Sequence, residues 1–279
     1  MKCRGLKRDV YTHGHHASVV SQHAGRTAQN SAAFLLPRLR DGLTVLDVGC
    51  GPGTISVGLA QSVGPRGKLV AVDAAEAAVI LAKEAARKSA VGNMEVRVAS
   101  AYDLPYGDDT FDVAFAHQTL QHLSDPVEAL RELKRVVKTP GGIVAARDAD
   151  YASMLSHPVI PGIERWRDVY RQVARANQAE PDAGRHLVAW ARQAGWSVED
   201  IEFTTSVKLY SGTVDEGERA RWGGDWSRRS LESDFGSQAV EYNIATADEM
   251  NAISRAWLEF KDNPESLFYY VNGEVILQN

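Results

Sequence analysis

The sequence has few cysteines and no long apolar run. Its two cysteines are Cys3, close to the first residue, and Cys50, inside a glycine-rich segment. This usage argues against a disulfide framework and for a reducing, cytoplasmic compartment. No stretch approaches the ~20 apolar residues of a membrane helix. No apolar segment follows the charged first residues, as it would in a signal peptide. We therefore expect no membrane partner.

An excess of positive charge is also lacking. Lys and Arg number 31 against 36 Asp and Glu, a net charge of −5, which argues against nucleic acid as a partner. Hydrophobic residues make up 44% and charged residues 24%, as in ordinary globular domains. The length of 279 residues fits one large domain with a lid.

Between Leu43 and Asp150, short apolar strands alternate with helices without a break. This alternation predicts parallel βαβ units and a doubly wound α/β sheet. Later segments read as helices and two strands, the last broken or bulged near Asn272 and Gly273. We expect a helical cap at 1–40, a binding core at 41–150, a lid helix with a late strand at 151–210, and a helical lid insertion with a final strand at 211–279.

The stretch "VLDVGCGPGT" is a glycine-rich turn that opens a helix. A P-loop needs a lysine after the glycines, which is lacking here. A dinucleotide fingerprint is weakened but not excluded, since Gly49 and Gly51 fit it while Thr54 stands in place of the third glycine. The pattern D-x-G-x-G-x-G fits at every position through Asp47, Gly49, Gly51 and Gly53.

Four segments in order carry a family resemblance. "LDVGCGPGT", "VAVD", "YDLPYGDDTFDVAFAHQTLQHLSDP" and "PGGIV" resemble the class I S-adenosylmethionine-dependent methyltransferases, within them the branch of ubiquinone and menaquinone biosynthesis. The resemblance covers about residues 43–150. It implies a seven-stranded, mostly parallel Rossmann-like sheet with helical lid insertions. It also implies S-adenosylmethionine as cofactor and S-adenosylhomocysteine as product.

The resemblance further implies methyl transfer to a small, partly apolar metabolite. The N-terminal segments "YTHGHH" and "RTAQNSAAFLLP" together are similar to methyltransferases of secondary metabolism, some of which methylate thiols. S-methylation in natural-product biosynthesis or detoxification is therefore our first expectation, and C- or O-methylation of a quinone or phenol is the alternative. An NAD-dependent oxidoreductase and a non-catalytic binding protein are the alternatives of other classes.

The expected cofactor residues follow the ends of the strands. Glycine lets backbone N–H groups approach a ligand, Asp47 can offset positive charge, and Asp73 can accept both ribose hydroxyls. Ser100 departs from the family, which usually has an acid there, but serine can still hydrogen-bond the adenine. Arg26 can pair with the methionine carboxylate. The full expected set is Asp47, Gly49, Gly51, Gly53, Asp73, Ala74, Ser100, Ala101, Tyr102, His117, Gln118 and Arg26.

The expected catalytic residues are His117, His16 and Tyr11. His117 is the base candidate because it ends a strand, and a histidine with a pKa near neutrality suits proton abstraction. No metal is expected, because the spacing around His13, His15 and His16 lacks suitable ligands. The expected acceptor pocket uses the aromatic i, i+4 pairs, although such pairs are more often core. It comprises Tyr151, Asp148, Trp166, Tyr170, Trp222, Trp226 and His122.

Overall fold

The computed structural model describes Asp9, Thr12 and residues 25–279. One mixed sheet of eight strands runs through this part of the chain. The strands are β1 (Thr44–Val48), β2 (Lys68–Asp73), β3 (Met94–Val98), β4 (Val113–His117), β5 (Ile143–Ala149), β6 (Leu155–His157), β7 (Ile201–Ser211) and β8 (Leu267–Gln278). Their order in the sheet is β3-β2-β1-β4-β5-β8, and β7 lies along the other edge of β8.

The predicted doubly wound core is confirmed. Strands β1 to β5 pair in parallel, because each is joined to the next by a crossover segment. All five residues of β4 are buried, as expected of a central strand covered on both faces. The sheet has eight strands rather than seven. The additional strand is the short β6, which pairs with Leu267–Tyr269 of β8.

Strand β8 is not broken at Asn272 and Gly273, contrary to the sequence-based expectation. It runs unbroken and antiparallel to both β5 and β7. A β-carbon at Gly273 would lie 2.0 Å from the carbonyl oxygen of Gly184. The glycine therefore permits close backbone packing within a strand, and it does not mark a turn.

Helices cover the sheet and form a separate layer. The helix after β4 starts as predicted, with Pro126 in its first turn and the Asp125 side chain accepting a hydrogen bond from the N–H of Glu128. The helices are α1 (Ala28–Ser31), α2 (Thr54–Ser62), α3 (Glu76–Lys88), α4 (Pro126–Val136), α5 (Pro161–Ala176), α6 (Leu187–Gln193), α7 (Gly212–Glu232), α8 (Asp234–Glu241) and α9 (Ala247–Asp262).

The layer of α5, α7, α8 and α9 has an aromatic core of its own. Trp166, Trp226 and Trp257 are almost fully buried there, and Phe268 of β8 joins them from the sheet. Trp222 and Trp226 of α7 also line a cavity at the carboxyl ends of the parallel strands. None of the helices described is both long and apolar enough to span a membrane.

Candidate active site

A cavity of about 640 Å³ opens where β1, β2, β4 and β5 end. The carboxyl edge of a doubly wound sheet is where such folds bind ligands, because the connecting loops diverge there. The turn after β1, the start of α3, the segment 98–102 and residues 117–119 form its floor and sides. Residues of α7 and β8 close it from the other side.

The glycine turn after β1 has a left-handed backbone at three positions. Gly49, Gly51 and Gly53 have φ angles of 74°, 53° and 78°, which favour glycine. Gly49 and Gly51 line the cavity and expose the backbone to a ligand. Gly53 does not line it. Gly53 caps α2 and packs against Ala82, to which a β-carbon would approach within 2.8 Å.

Asp73 connects the end of β2 to the glycine turn. Its Oδ2 accepts a hydrogen bond from the N–H of Gly51 at 2.9 Å, and its Oδ1 accepts one from the N–H of Ala75 at 2.9 Å. A carboxylate has about four acceptor positions, so it can accept further bonds from a diol. Ala74, the next residue, also lines the cavity.

Asp47 is a buried carboxyl at the end of β1. Burial raises its pKa to about 7, an effect opposed by the hydrogen bond from Ser56 Oγ and reinforced by the charge of Asp73. The Ser56 Oγ–Asp47 Oδ2 distance is 2.5 Å. A cation bound in the cavity would stabilise the ionised form. Asp47 therefore suits a positively charged ligand.

The segment after β3 places Ser100, Ala101 and Tyr102 together in the cavity wall. Ser100 Oγ accepts a hydrogen bond from the N–H of Tyr102 at 3.2 Å. The Tyr102 hydroxyl donates to Asp9 Oδ1 at 3.2 Å and accepts from the N–H of Asp125 at 3.2 Å. A neutral hydroxyl, that of Ser100, therefore stands at the position where the family usually has an acid.

His117 ends β4 and lines the cavity, but the expectation of a pKa near neutrality is not met. Burial, and then the positive charges of Arg26 and Arg147, hold its pKa well below the ordinary value. Its Nδ1 has no hydrogen-bond partner among the described residues. The imidazole is therefore neutral, which makes it a weak base. Gln118, also in the wall, accepts a hydrogen bond from Arg26, which places that guanidinium beside the cavity.

The expected acceptor pocket is only partly assembled. Tyr151, Trp222, Trp226 and His122 line the cavity, and burial lowers the pKa of His122 to about 3, with Arg26 adding to the effect. His122 also contacts Gln121, with 3.1 Å between the side-chain nitrogens.

Trp166, Tyr170 and Asp148 lie behind the cavity wall instead. Trp166 packs edge-on against Trp226, with ring centroids 4.4 Å apart, and Tyr170 stacks on Tyr151 at 4.3 Å. Their shared helix face points into the core between helices rather than into the cavity. Asp148 is fully buried and accepts a hydrogen bond from the N–H of Gln121 at 3.1 Å.

Several wall residues were missed from the sequence. Arg229 could have been found, because positions 222, 226 and 229 form one helical stripe. Thr119, Met154 and Tyr270 come from separate segments with no shared pattern, and only the tertiary fold brings them together. Asp9 also lines the cavity.

The remaining predicted residues, Tyr11 and His16, lie outside the described residues, as do His13 and His15. Within the described chain, no group of three or more His, Cys, Asp or Glu side chains could hold a metal ion.

The known proteins that this chain resembles include several methyltransferases. A sequence model described as a methyltransferase domain matches residues 39–199. The chain is 33% identical over 276 residues to an uncharacterized methyltransferase of Schizosaccharomyces pombe, covering 95% of each chain. It is 31% identical over 183 residues to a demethylmenaquinone methyltransferase of Listeria welshimeri, covering 65% of this chain and 72% of the relative.

Among solved structures, a SAM-dependent methyltransferase from Aquifex aeolicus superposes with a TM-score of 0.50 at 25% identity. The match covers 70% of this chain and 91% of that structure.

Proposed function

Because this chain belongs to the class I S-adenosylmethionine-dependent methyltransferases, we propose that its cavity methylates a small, partly apolar metabolite, with a thiol as the acceptor group. S-adenosylmethionine is the cofactor and the protein is an enzyme. The family assignment sets aside the NAD-dependent and the non-catalytic alternatives. The identity of the acceptor and the roles of individual residues are our proposals.

The cofactor supplies a methyl group that is already activated by its bond to a sulfonium. We propose that Asp73 accepts hydrogen bonds from the ribose hydroxyls while it fixes the glycine turn. Asp47 balances the positive charge of the cofactor, which agrees with a buried carboxyl whose pKa is raised to about 7 by burial and by the charge of Asp73. Arg26 pairs with the cofactor carboxylate, and the Ser100 segment contacts the adenine.

One observation carries the choice of a thiol: the histidines that line the cavity in the described chain are held neutral. The pKa of His117 and that of His122 are both lowered by burial, so neither is a good proton acceptor for a weakly acidic substrate. An acceptor that ionises by itself is then favoured. A free thiol has a pKa of about 8.5 against about 10 for a phenol, and the charge of Arg229 favours a thiolate in the cavity.

A quinone or phenol acceptor is the second candidate. Four aromatic rings, those of Tyr151, Trp222, Trp226 and Tyr270, line the acceptor side of the cavity and suit a planar ring. The similarity to a demethylmenaquinone methyltransferase agrees with this alternative.

The test is methyl transfer from labelled S-adenosylmethionine to matched aromatic thiols, phenols and quinols of the same ring size. We expect methylated thiols, with a rate that rises with pH until the free thiol is ionised. Faster labelling of the matching quinols would favour the second candidate. Failure of every acceptor, in a protein that S-adenosylhomocysteine stabilises against heat, would contradict both acceptor classes and leave the cofactor site intact.

A further inference from the structure

Strand β7 forms a long free edge of the sheet. It has 11 residues and, in the described part of the chain, pairs only with β8. Its outer backbone groups therefore have no strand partner there. Proteins usually protect such edges by keeping them short or by placing charged residues, proline or a bulge in them, because a free edge can pair with another chain. The β7 sequence "IEFTTSVKLYS" contains no proline and no glycine.

One face of β7 is apolar and exposed. Phe203, Val207 and Leu209 point to the same side, because they are separated by even numbers of residues. Their exposed fractions are 43%, 63% and 37%. Thr205 lies among them and is also exposed. The free edge is therefore bordered by an apolar strip that a second strand would extend and partly cover.

The opposite face carries charges in a symmetric arrangement. Glu202 and Lys208 lie three residues before and three residues after Thr205. We propose that two copies of this chain pair edge to edge through β7, antiparallel, around a two-fold axis at Thr205. In this register Glu202 faces Lys208 of the partner subunit, and Phe203 faces the partner subunit's Val207. Opposite charges and apolar pairs in these positions stabilise antiparallel strands.

Neighbouring charges extend the same complementarity. Arg38 already pairs with Glu202 at 2.6 Å, and Lys208 pairs with Glu218 at 2.6 Å. In the proposed register, the ion pair at Glu202 of one subunit lies beside the ion pair at Lys208 of the partner subunit. The four charges then alternate in sign, and the two-fold axis generates a second such row of charges. Shifting the register between the two strands by two residues, in either direction, would place Glu202 opposite a serine or a tyrosine of the partner subunit instead.

Cysteine cross-linking tests both the dimer and its register. In a Cys3→Ser background, Thr205→Cys places the two new thiols next to each other across the axis. Val207→Cys places them roughly 13 Å apart, four residues along the strand. We expect a short bismaleimide to link the Thr205→Cys protein into dimers and to leave the Val207→Cys protein, whose position is also exposed, monomeric on a denaturing gel.

Charge reversal provides a second measurement. Glu202→Lys creates two like-charge pairs across the axis, and we expect it to raise the dimer dissociation constant about tenfold in sedimentation. Adding Lys208→Glu should recover part of the lost dimer affinity, whereas Glu84→Lys, at a surface ion pair with Lys88 on helix α3, should have no effect. A wild-type protein that stays monomeric at high concentration would overturn the proposal. So would a dimer that does not link through position 205 and ignores the charge at 202.

Discussion

Gly49 and Thr119 approach each other so closely that no side chain fits between them. A β-carbon at Gly49 would lie 2.2 Å from Oγ1 of Thr119 and 2.7 Å from its Cγ2. Thr119 Oγ1 donates to the carbonyl oxygen of Val48, at 3.1 Å, which ties the loop after β4 to the end of β1. The glycine turn is therefore shaped by the neighbouring strand as well as by its own backbone.

We expect Gly49→Ala to destabilise the protein and to weaken binding of S-adenosylhomocysteine. The left-handed φ of 74° alone costs an alanine about 1–2 kcal/mol, and the contact with Thr119 adds to that cost. Gly42→Ala is the matched control, because Gly42 has a φ of 95° with nothing near its missing β-carbon. Urea unfolding and calorimetric titration provide the measurements.

The contribution of the contact itself can be isolated. Thr119→Ala removes the two closest atoms, so it should recover part of the stability lost in Gly49→Ala. Equal losses in Gly49→Ala and Gly42→Ala would show that only backbone strain matters.

Asp73 is expected to control cofactor affinity through its two oxygens. Charge-assisted hydrogen bonds contribute about 1.5–3 kcal/mol, so Asp73→Ala should weaken S-adenosylhomocysteine binding by about 10- to 150-fold. Asp73→Asn keeps one acceptor oxygen for the N–H of Gly51 or Ala75, and should fall between wild type and alanine. Asp108→Asn, at an exposed ion pair with Arg135, is the control for the loss of one surface charge. Unchanged affinity in Asp73→Ala would remove our ribose assignment.

The sequence was sufficient for the parallel core because its signals are local. Alternating strands and helices, the cap at Asp125 and the spacing of the glycines all depend on neighbouring residues. The break that was wrongly predicted near Gly273 shows where local sequence signals are no longer sufficient. A glycine in a strand reads as a turn or bulge, and nothing near it in sequence reveals that the backbone of Gly184 packs against it.

The same limit applies to the aromatic pairs. Trp166 with Tyr170, and Trp222 with Trp226, have identical spacing on their helices. Both pairs pack in the same aromatic core, but only the second pair also lines the cavity. Periodicity states that two side chains share a face, but the direction of that face depends on how the helices pack. The acceptor side of the site is therefore the part that sequence predicts least well.

His117 is expected to stay uncharged in the folded protein under mildly acidic conditions. Burial and the charges of Arg26 and Arg147 lower its pKa, whereas a histidine of the unfolded chain titrates near 6.5. Ring NMR signals of His117, assigned by comparison with His117→Gln, should not titrate between pH 8 and 5.5. The pH profile of kcat/KM should keep its shape in His117→Gln. Loss of one limb of that profile in the variant would restore His117 as a base.

Asp148 lies outside the cavity lining, and the protonation state of its buried carboxyl can be tested through the pH dependence of stability. Burial raises its pKa to about 8, although the N–H of Gln121 favours the charged form. The folded protein therefore keeps a proton that the unfolded chain releases above about pH 4. A raised folded pKa contributes stability that is complete below the unfolded value and is lost as the pH rises to about 8.

Asp148→Asn lacks this titration. Its stability relative to wild type should therefore increase with pH between about 4 and 8, at up to roughly 1.4 kcal/mol per pH unit, and then level off. The slope is the readout, since the amide also changes the buried contacts and so shifts the baseline. Urea unfolding at several pH values measures it.

Asp182→Asn is the matched control. Asp182 is a second buried aspartate, but its pKa is shifted in the opposite direction from that of Asp148. Although burial raises its pKa, the hydrogen bonds and charge of Arg171 outweigh that effect and lower the pKa overall. Asp182 is then ionised in both the folded and the unfolded chain above about pH 5, so this variant should show a flat difference from wild type there. A flat difference for Asp148→Asn as well would mean that the carboxyl on β5 is ionised in the folded protein, and that a charge tolerates this fully buried position.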